Sequence, residues 1–468
     1  MDAALNLSYI KRDVYRDMLA WKNSLVSMKT SLEVEGARQV GKSFIVKRFA
    51  EENFKKVYFV DLLDRDDRRK AEKIVEQALG LDDTMKFFFP GFFDSSDAVV
   101  VIDEVQEFAN MYNLIKPFAL KMKTHLIVTG SFLGKALNSG FFHAGAERTG
   151  IVVRSLSFPE FLGIFENGRV REIYESIDLF GGSPREHYVR LERYYNLYLT
   201  IGGYPLVVRK ALESGKLDAA FTEIREVVQA FCQDSQNYLE DITDVEALPL
   251  LLKQIAVFLL ADQRGNLNFS DELQKIDYGS ITRKKAVMNA MSWLTKSQLI
   301  SPCGRIIDLS PSVELSYARY YFTDVGLANH LYQLTGINQS NRTGRLAENF
   351  VYSCFLEKRL IGDNYPSFAT YGDTELDFLL FVPDGANTRK VAIEVKTHHK
   401  KGQSSSELLS NGKIDYLINV RAGTMGGRAG NILTIPIYLF GRFDTEMIIE
   451  KAVDPAQEIL TSLVENSM

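Results

Sequence analysis

The chain has 468 residues and a mass of 53.0 kDa, which at about 100–200 residues per domain is enough for roughly three domains. Hydrophobic residues make up 46% and charged residues 25%, a balance that excludes a disordered or fibrous chain. The 55 Lys and Arg against 60 Asp and Glu give a net charge of −5, so the protein is not coated in basic charge, although a local nucleic-acid-binding face stays open.

Cys232, Cys303 and Cys354 lie far apart, which excludes a disulfide scaffold or a cysteine-rich zinc site and fits a cytoplasmic protein. No window approaches the ~18 apolar residues of a membrane span. The first 22 residues carry charges where a signal peptide needs an apolar centre, and they read as a short surface helix.

In chain order, residues 32–35 (LEVE) form a short strand that runs into GARQVGKS and then into a helix, FIVKRFAEENF. Strands follow at 57–62 and 98–102, and again at 125–130, separated by helical spacing. Such alternation predicts an α/β fold with a parallel sheet and helices on both faces. From about 155 to 250 aromatic-rich helices take over. Residues 250–322 then give helix, helix, turn, basic helix and ribbon, a winged-helix pattern. A second α/β unit occupies about 340–445. The expected domains are 1–165, 166–335 and 336–468.

Gly36 to Ser43 fits G-x-x-x-x-G-K-[ST] between a strand and a helix. Gly36 and Gly41 let backbone N–H groups of Arg38, Gln39 and Val40 wrap phosphates at the helix N-terminus, with Phe44 next in line. Lys42 neutralises the β/γ-phosphates and the Ser43 hydroxyl ligates Mg²⁺. Asp103 and Glu104 end the apolar strand VVVID, where ligands bind in a parallel sheet. Asp103 is the expected Mg²⁺ holder and Glu104 the residue that orients or activates water. Thr129, Gly130 and Ser131 end the next strand, with Thr129 as the polar contact. Arg148 is a candidate arginine finger, on the same or a neighbouring subunit. Gly202-Gly203-Tyr204-Pro205 reads as a lid turn.

In the last segment, Glu394 and Lys396 sit two apart on a strand and so share a face. Asp377, from the adjacent strand, can share a divalent cation with Glu394, and Glu348 can add a ligand. Lys396 would then position water or stabilise charge on a scissile phosphate. Mg²⁺ or Mn²⁺ is the expected ion. A mild basic surplus there, with Lys400 and Lys401, suits a phosphate backbone, and Arg283, Lys284 and Lys285 stand on the helix that would enter a DNA groove. DNA is favoured over RNA as partner.

GARQVGKS, VVIDEVQ, IVTGS, LSFPEF, GGYP, YYFTDVGL, AENFV, ELDF and IEVK occur in that order. From about residue 10 to 440 the chain thereby resembles the prokaryotic AAA-type ATPases, akin to AAA+ and STAND proteins, that carry a C-terminal restriction-endonuclease-like domain. The resemblance implies ATP, Mg²⁺, a helical lid, a winged-helix module and the PD-(D/E)xK set Glu348, Asp377, Glu394 and Lys396. Two positions depart from the pattern. Leu376 stands where a Pro is expected, and Thr129 stands where a sensor Asn is expected.

The reading that follows is an ATPase whose cycle controls a metal-dependent nuclease acting on DNA. The alternative is an ATP-dependent switch that binds nucleic acid or a protein without cutting. Self-association would accompany a finger supplied by a neighbour.

Overall fold

The computed structural model describes residues 10–24, 27, 29–76, 80–130, 148–238, 247–262, 267–276, 284–358, 366–384, 387–397 and 403–448. Two compact units alternate along the chain. One comprises Met1–Asn167, Gly202–Glu246 and Lys285–Ile300, and the other Gly168–Ile201, Ala247–Lys284 and Ser301–Met468.

In the first unit β1 (Ser31–Glu35), β2 (Lys56–Asp61), β3 (Ala98–Asp103), β4 (His125–Gly130) and β5 (Arg148–Val152) form a parallel sheet in the order β2-β3-β4-β1-β5. β1, β3 and β4 are buried along their whole length, as strands covered on both faces must be. Val34 lies beside Thr129, and Ile102 beside Val128. β4 therefore separates the strand that leads into the glycine loop from the strand that ends in Asp103. On one face Tyr58, Val60, Val100 and Ile102 pack with Ile74, Met85, Phe88 and Phe118.

The amino-terminal helix Val14–Asn23 is docked rather than superficial. Met18 and Trp21 are buried, and the Trp21 ring meets His125 edge-on at 5.7 Å. Helices Pro205–Ser214 and Leu217–Tyr238 belong to the same unit. Phe231 packs edge-on against Trp293 of helix Lys284–Lys296, with centroids 6.2 Å apart. The GGYP turn is a close crossing. A Cβ on Gly203 would lie 2.1 Å from the Leu156 carbonyl oxygen, and the Leu156 N–H donates to the Gly203 carbonyl at 2.7 Å.

In the second unit, β6 (Ile300–Ile307), β7 (Val313–Phe322), β8 (Ser367–Tyr371) and β9 (Thr374–Leu376) form a sheet in the order β7-β6-β8-β9. A further sheet holds β10 (Phe378–Asp384), β11 (Asn387–Lys396), β12 (Tyr416–Arg421), β13 (Gly427–Ala429) and β14 (Ile432–Pro436), in the order β10-β11-β12-β14-β13. β10 and β11 are antiparallel, and β12 runs parallel to β11 after the helix Gln403–Ser410. Leu376, Leu379, Ala392, Leu408 and Leu417 share one core with Ile306 and Ala369.

The ribbon expected as a wing is β6 with β7, but β8 pairs parallel to β6 from Gly304↔Ser367 to Ile307↔Thr370. A strand with neighbours on both edges is not a free wing. The helix expected to precede it lies almost wholly in the other unit, where Trp293 packs against Phe231; Leu294 and Ala290 are buried as well. Arg283 and Lys400 with Lys401 lie outside the described residues, and Lys284 and Lys285 are placed only as helix backbone.

Gly203→Ala is expected to destabilise the protein by about 2 kcal/mol or more, the scale of overpacking against a backbone that cannot yield. Gly215→Ala, at a left-handed helix end (φ 65°) with nothing within 4 Å of the added carbon, should cost about 1 kcal/mol. Chemical denaturation of the two variants checks the order.

Candidate functional site

The loop from Gly36 to Gly41 joins β1 to helix Lys42–Asn53. A Cβ at Gly36 would lie 2.0 Å from the Val153 carbonyl oxygen, so only glycine fits. Gln39 (φ 62°) and Gly41 (φ 91°) are left-handed, which turns the chain sharply into the helix. Lys42 is buried at 4% exposure, and its Nζ donates to the Ala37 carbonyl at 3.0 Å. Burial lowers its pKa, against the pull of Glu104 and Asp103. Val40 is buried while Phe44, one turn into the helix, is 60% exposed.

At the same sheet edge the Thr129 hydroxyl donates to the Asp103 carboxylate and accepts from the Glu104 N–H at 3.1 Å. Ser43 also hydrogen-bonds Asp103, whose pKa burial nevertheless raises. Glu104 adopts φ 53°, a left-handed conformation that costs energy for a glutamate. Gln106 holds its carboxylate through Nε2. A Cβ at Gly130 would lie 2.7 Å from Gln106 Oε1, so the glycine makes room for that clamp. Lys42, Ser43, Asp103, Glu104 and Thr129 are brought together at this edge.

Arg148 is at the amino-terminal edge of the sheet, beside Ser31, four residues before the Val152–Glu35 pairing. At about 3.3 Å per residue that is roughly 13 Å along the strand from the edge that carries the glycine loop. Ser131 lies outside the described residues.

Sequence reasoning missed Arg12. Its Nη1 donates to the Val40 carbonyl at 2.9 Å, its Nη2 to the Arg154 carbonyl at 2.6 Å and its Nε to Glu160 Oε1 at 3.2 Å. Glu160 also accepts from the N–H groups of Asp13 (2.7 Å) and Ser157 (2.9 Å). The SFPE stretch is thus a capping box whose glutamate doubles as an anchor for the arginine that braces the loop. The S-x-x-E spacing was the available signal; Arg12 itself, in a charged stretch, gave none. Asp234 was missed as well. It is buried and ion-paired with Arg38.

In the second unit Asp377 stands between β9 and β10, and its Oδ2 accepts from the Val395 N–H at 2.7 Å. Lys396 Nζ is 2.6 Å from Glu394 Oε2 and 3.9 Å from Asp377 Oδ2. Glu394 is 4% exposed, and its other oxygen, Oε1, is buried without a hydrogen-bond partner. Burial first, then Asp377, push the Glu394 carboxyl up to about 8. Burial pulls Lys396 down, but Asp377 and Glu394 outweigh it and its pKa is raised.

Glu348 instead accepts from the Tyr321 hydroxyl at 3.1 Å and pairs with Arg345; burial raises its pKa, with Arg345 opposing and Asp377 adding. Arg319, fully buried, pairs with Asp262 at 2.7 Å and with Glu375 at 2.8 Å. Glu375 is pushed up to about 7, chiefly by burial. Among the described residues no group of three His, Cys, Asp or Glu side chains is arranged to hold a metal ion. The structure joins Asp377, Glu394 and Lys396 and turns Glu348 toward Arg345.

Residues 29–162 match the family described as "AAA domain", and residues 192–340 match a domain of unknown function, DUF8612. The first match, the parallel sheet and the glycine loop together fit an AAA-type P-loop ATPase domain. No curated protein sequence matches the chain.

Among solved structures the chain is similar to the Walker-type ATPase PABY2304 of Pyrococcus abyssi, at 15% identity over 71% of this chain and 98% of that one, with a TM-score of 0.42. It is also similar to the Aeropyrum pernix ORC1 protein in complex with DNA, at 9% identity over 72% and 93%, with a TM-score of 0.28. The RuvB Holliday junction branch migration motor of Thermotoga maritima matches at 13% identity over 62% and 89%, with a TM-score of 0.26. At such scores no residue role carries over. Among the described residues no helix is long and apolar enough to cross a membrane.

Because the Glu394 carboxyl is raised from an ordinary 4.5 to about 8, the folded chain holds a proton that the unfolded chain releases above about pH 4.5. Stability contributed by this group therefore falls as pH rises through that window. Glu394→Gln is expected to flatten the decline, measured as the thermal midpoint between pH 5 and pH 8.5.

Proposed function

We propose that the protein hydrolyses ATP in its first unit and that this cycle controls a metal-dependent, nuclease-like site acting on DNA in its second. The observation that carries the hydrolytic reading is the meeting of Lys42, Ser43, Asp103, Glu104 and Thr129 at one sheet edge. Lys42, released from the Ala37 carbonyl, would turn to the β- and γ-phosphates. Glu104, oriented by Gln106, is the carboxylate that would orient or deprotonate water, since Asp103 is held by the Ser43 and Thr129 hydroxyls. Thr129 fixes both acidic residues through one hydroxyl. Magnesium held by Ser43 and Asp103 would supply charge compensation on the phosphates. A finger role for Arg148 is a role toward a neighbouring copy, given its place at the far edge.

The buried, unpartnered Glu394 Oε1 beside Asp377 supports a cation site in the second unit, because a buried carboxylate oxygen without a donor is costly. A divalent cation there would supply Lewis-acid polarisation of a phosphodiester. Lys396 is poised to position water or to stabilise charge on the phosphate. The alternative, a switch that binds without cutting, is favoured by one observation. Lys396 already bonds the Glu394 carboxyl at 2.6 Å, and Glu348 is taken by Arg345.

Lys42→Ala is expected to abolish ATP turnover, and Glu104→Gln to lower it by about 10²-fold or more with binding retained. Lys396→Ala should abolish cleavage of single-stranded, duplex or branched DNA in Mg²⁺ or Mn²⁺, assayed with and without ATP and against RNA. ATP turnover with no cleavage of any of these would establish the switch instead.

A further inference from the structure

Helix Leu217–Tyr238 lays Ile224, Val227 and Phe231 on one buried face. Asp234 continues that spacing where another apolar residue is expected. It is instead a buried carboxylate, and it pairs with Arg38, the third residue of the phosphate-binding loop. Its side chain is 12% exposed and that of Arg38 is 34% exposed.

Asp234 also lies within electrostatic reach of Lys42, Glu104 and Glu107. Burial, with Glu107 and Glu104 adding to it, pushes its carboxyl up to about 6 even though Arg38 opposes. The acid is therefore in an environment that already disfavours its negative charge. Arg38 stands four residues before Lys42, on the loop expected to cradle the β/γ end of a nucleotide. A triphosphate brings to that end charge that a diphosphate lacks, and a guanidinium binds phosphate oxygens at least as well as a carboxylate.

We propose that Arg38 and Asp234 discriminate ATP from ADP: the γ-phosphate takes Arg38 from Asp234 and so loosens helix 217–238 from the loop, whereas ADP leaves the pair closed. The inference rests on the nucleotide-binding reading of the P-loop. Asp234 acts through Arg38 and is a positioning residue. Its removal should make the triphosphate easier to bind, because no pair has to be broken and one repelling charge is gone.

The test titrates full-length protein with Mg²⁺ and either ADP or the non-hydrolysable triphosphate AMP-PNP. Asp234→Asn, which preserves shape, is expected to tighten AMP-PNP about fivefold, roughly 1 kcal/mol, and to leave ADP within about twofold. Arg38→Ala should weaken AMP-PNP about tenfold and spare ADP, with Arg38→Lys in between. Hydrogen exchange of helix 217–238 should rise with AMP-PNP and not with ADP in the wild type.

A substitution that shifts both nucleotides equally, or neither, overturns the proposal, as does helix protection that responds alike to both nucleotides. Wild-type protein that binds neither nucleotide would remove the P-loop reading itself. Binding of both nucleotides with an unmoved AMP-PNP/ADP ratio in Asp234→Asn and Arg38→Ala would remove only the discrimination.

Discussion

A carboxylate taken out of water must find a cation, a set of donors or a proton, and the architecture of both units follows from how each buried acid solves that problem. Asp103 is held by two hydroxyls, Ser43 and Thr129. Glu160 is held by Arg12 and two backbone N–H groups, Asp234 by Arg38, and Asp262 with Glu375 by Arg319. Apart from the Ser157–Glu160 bond inside the capping box, each of these ties joins segments distant in sequence. Arg12 reaches 148 residues to Glu160, and Arg319 reaches 57 residues to Asp262. Removing one partner would leave the other charge buried and alone, which is far more costly than the pair is stabilising.

In the first unit the decisive step is topological. Placing β4 between β1 and β3 puts Thr129 next to Val34 and brings its hydroxyl onto Asp103 and the Glu104 N–H. Without that insertion the glycine loop and the acidic pair would stand on adjacent strands, with no polar side chain between them. The sharp backbone turn at Glu104 then frees its carboxylate from the line of the strand, and Gln106 fixes where it points. A short stretch of sequence thus converts a strand end into an oriented pair, one acid held by hydroxyls and the other by an amide.

Most of the first unit was legible because its signals are local. The strand–loop–helix context of Gly36 to Ser43 and the continuous apolar run before Asp103 follow from backbone rules that need no tertiary information. β5 was not legible. RTGIV is short, and it is a strand because β1 offers it a free edge. The docking of Met18 and Trp21 was hidden by the charges around them.

The winged-helix pattern goes unconfirmed for a related reason: the order of helices and ribbon is local, but which partner each apolar stripe chooses is not. Trp293 chose Phe231, and β6 chose β8. In the last segment Glu394, Lys396 and Asp377 were readable from strand parity and sequence order. The diversion of Glu348 was not, because it depends on Arg345 lying one helical turn away and on Tyr321 reaching it from β7.

Around the second site, Asp262, Glu348, Glu375, Asp377 and Glu394 face Arg319, Arg345 and Lys396, an excess of two negative charges in an interior largely closed to water. Protons or a divalent cation can make up that difference. The raised carboxyls of Glu375, at about 7, and Glu394, at about 8, are the proton solution. The proposed metal is the other, and the two exclude each other because a ligating carboxylate must give up its proton. Acid therefore works against a cation at Glu394 over the neutral range, where exposed carboxylates would long since have ionised. The orphaned Oε1 marks where that competition takes place. Lys396, bonded to the opposite oxygen of the same carboxylate, keeps Glu394 oriented whichever occupant wins.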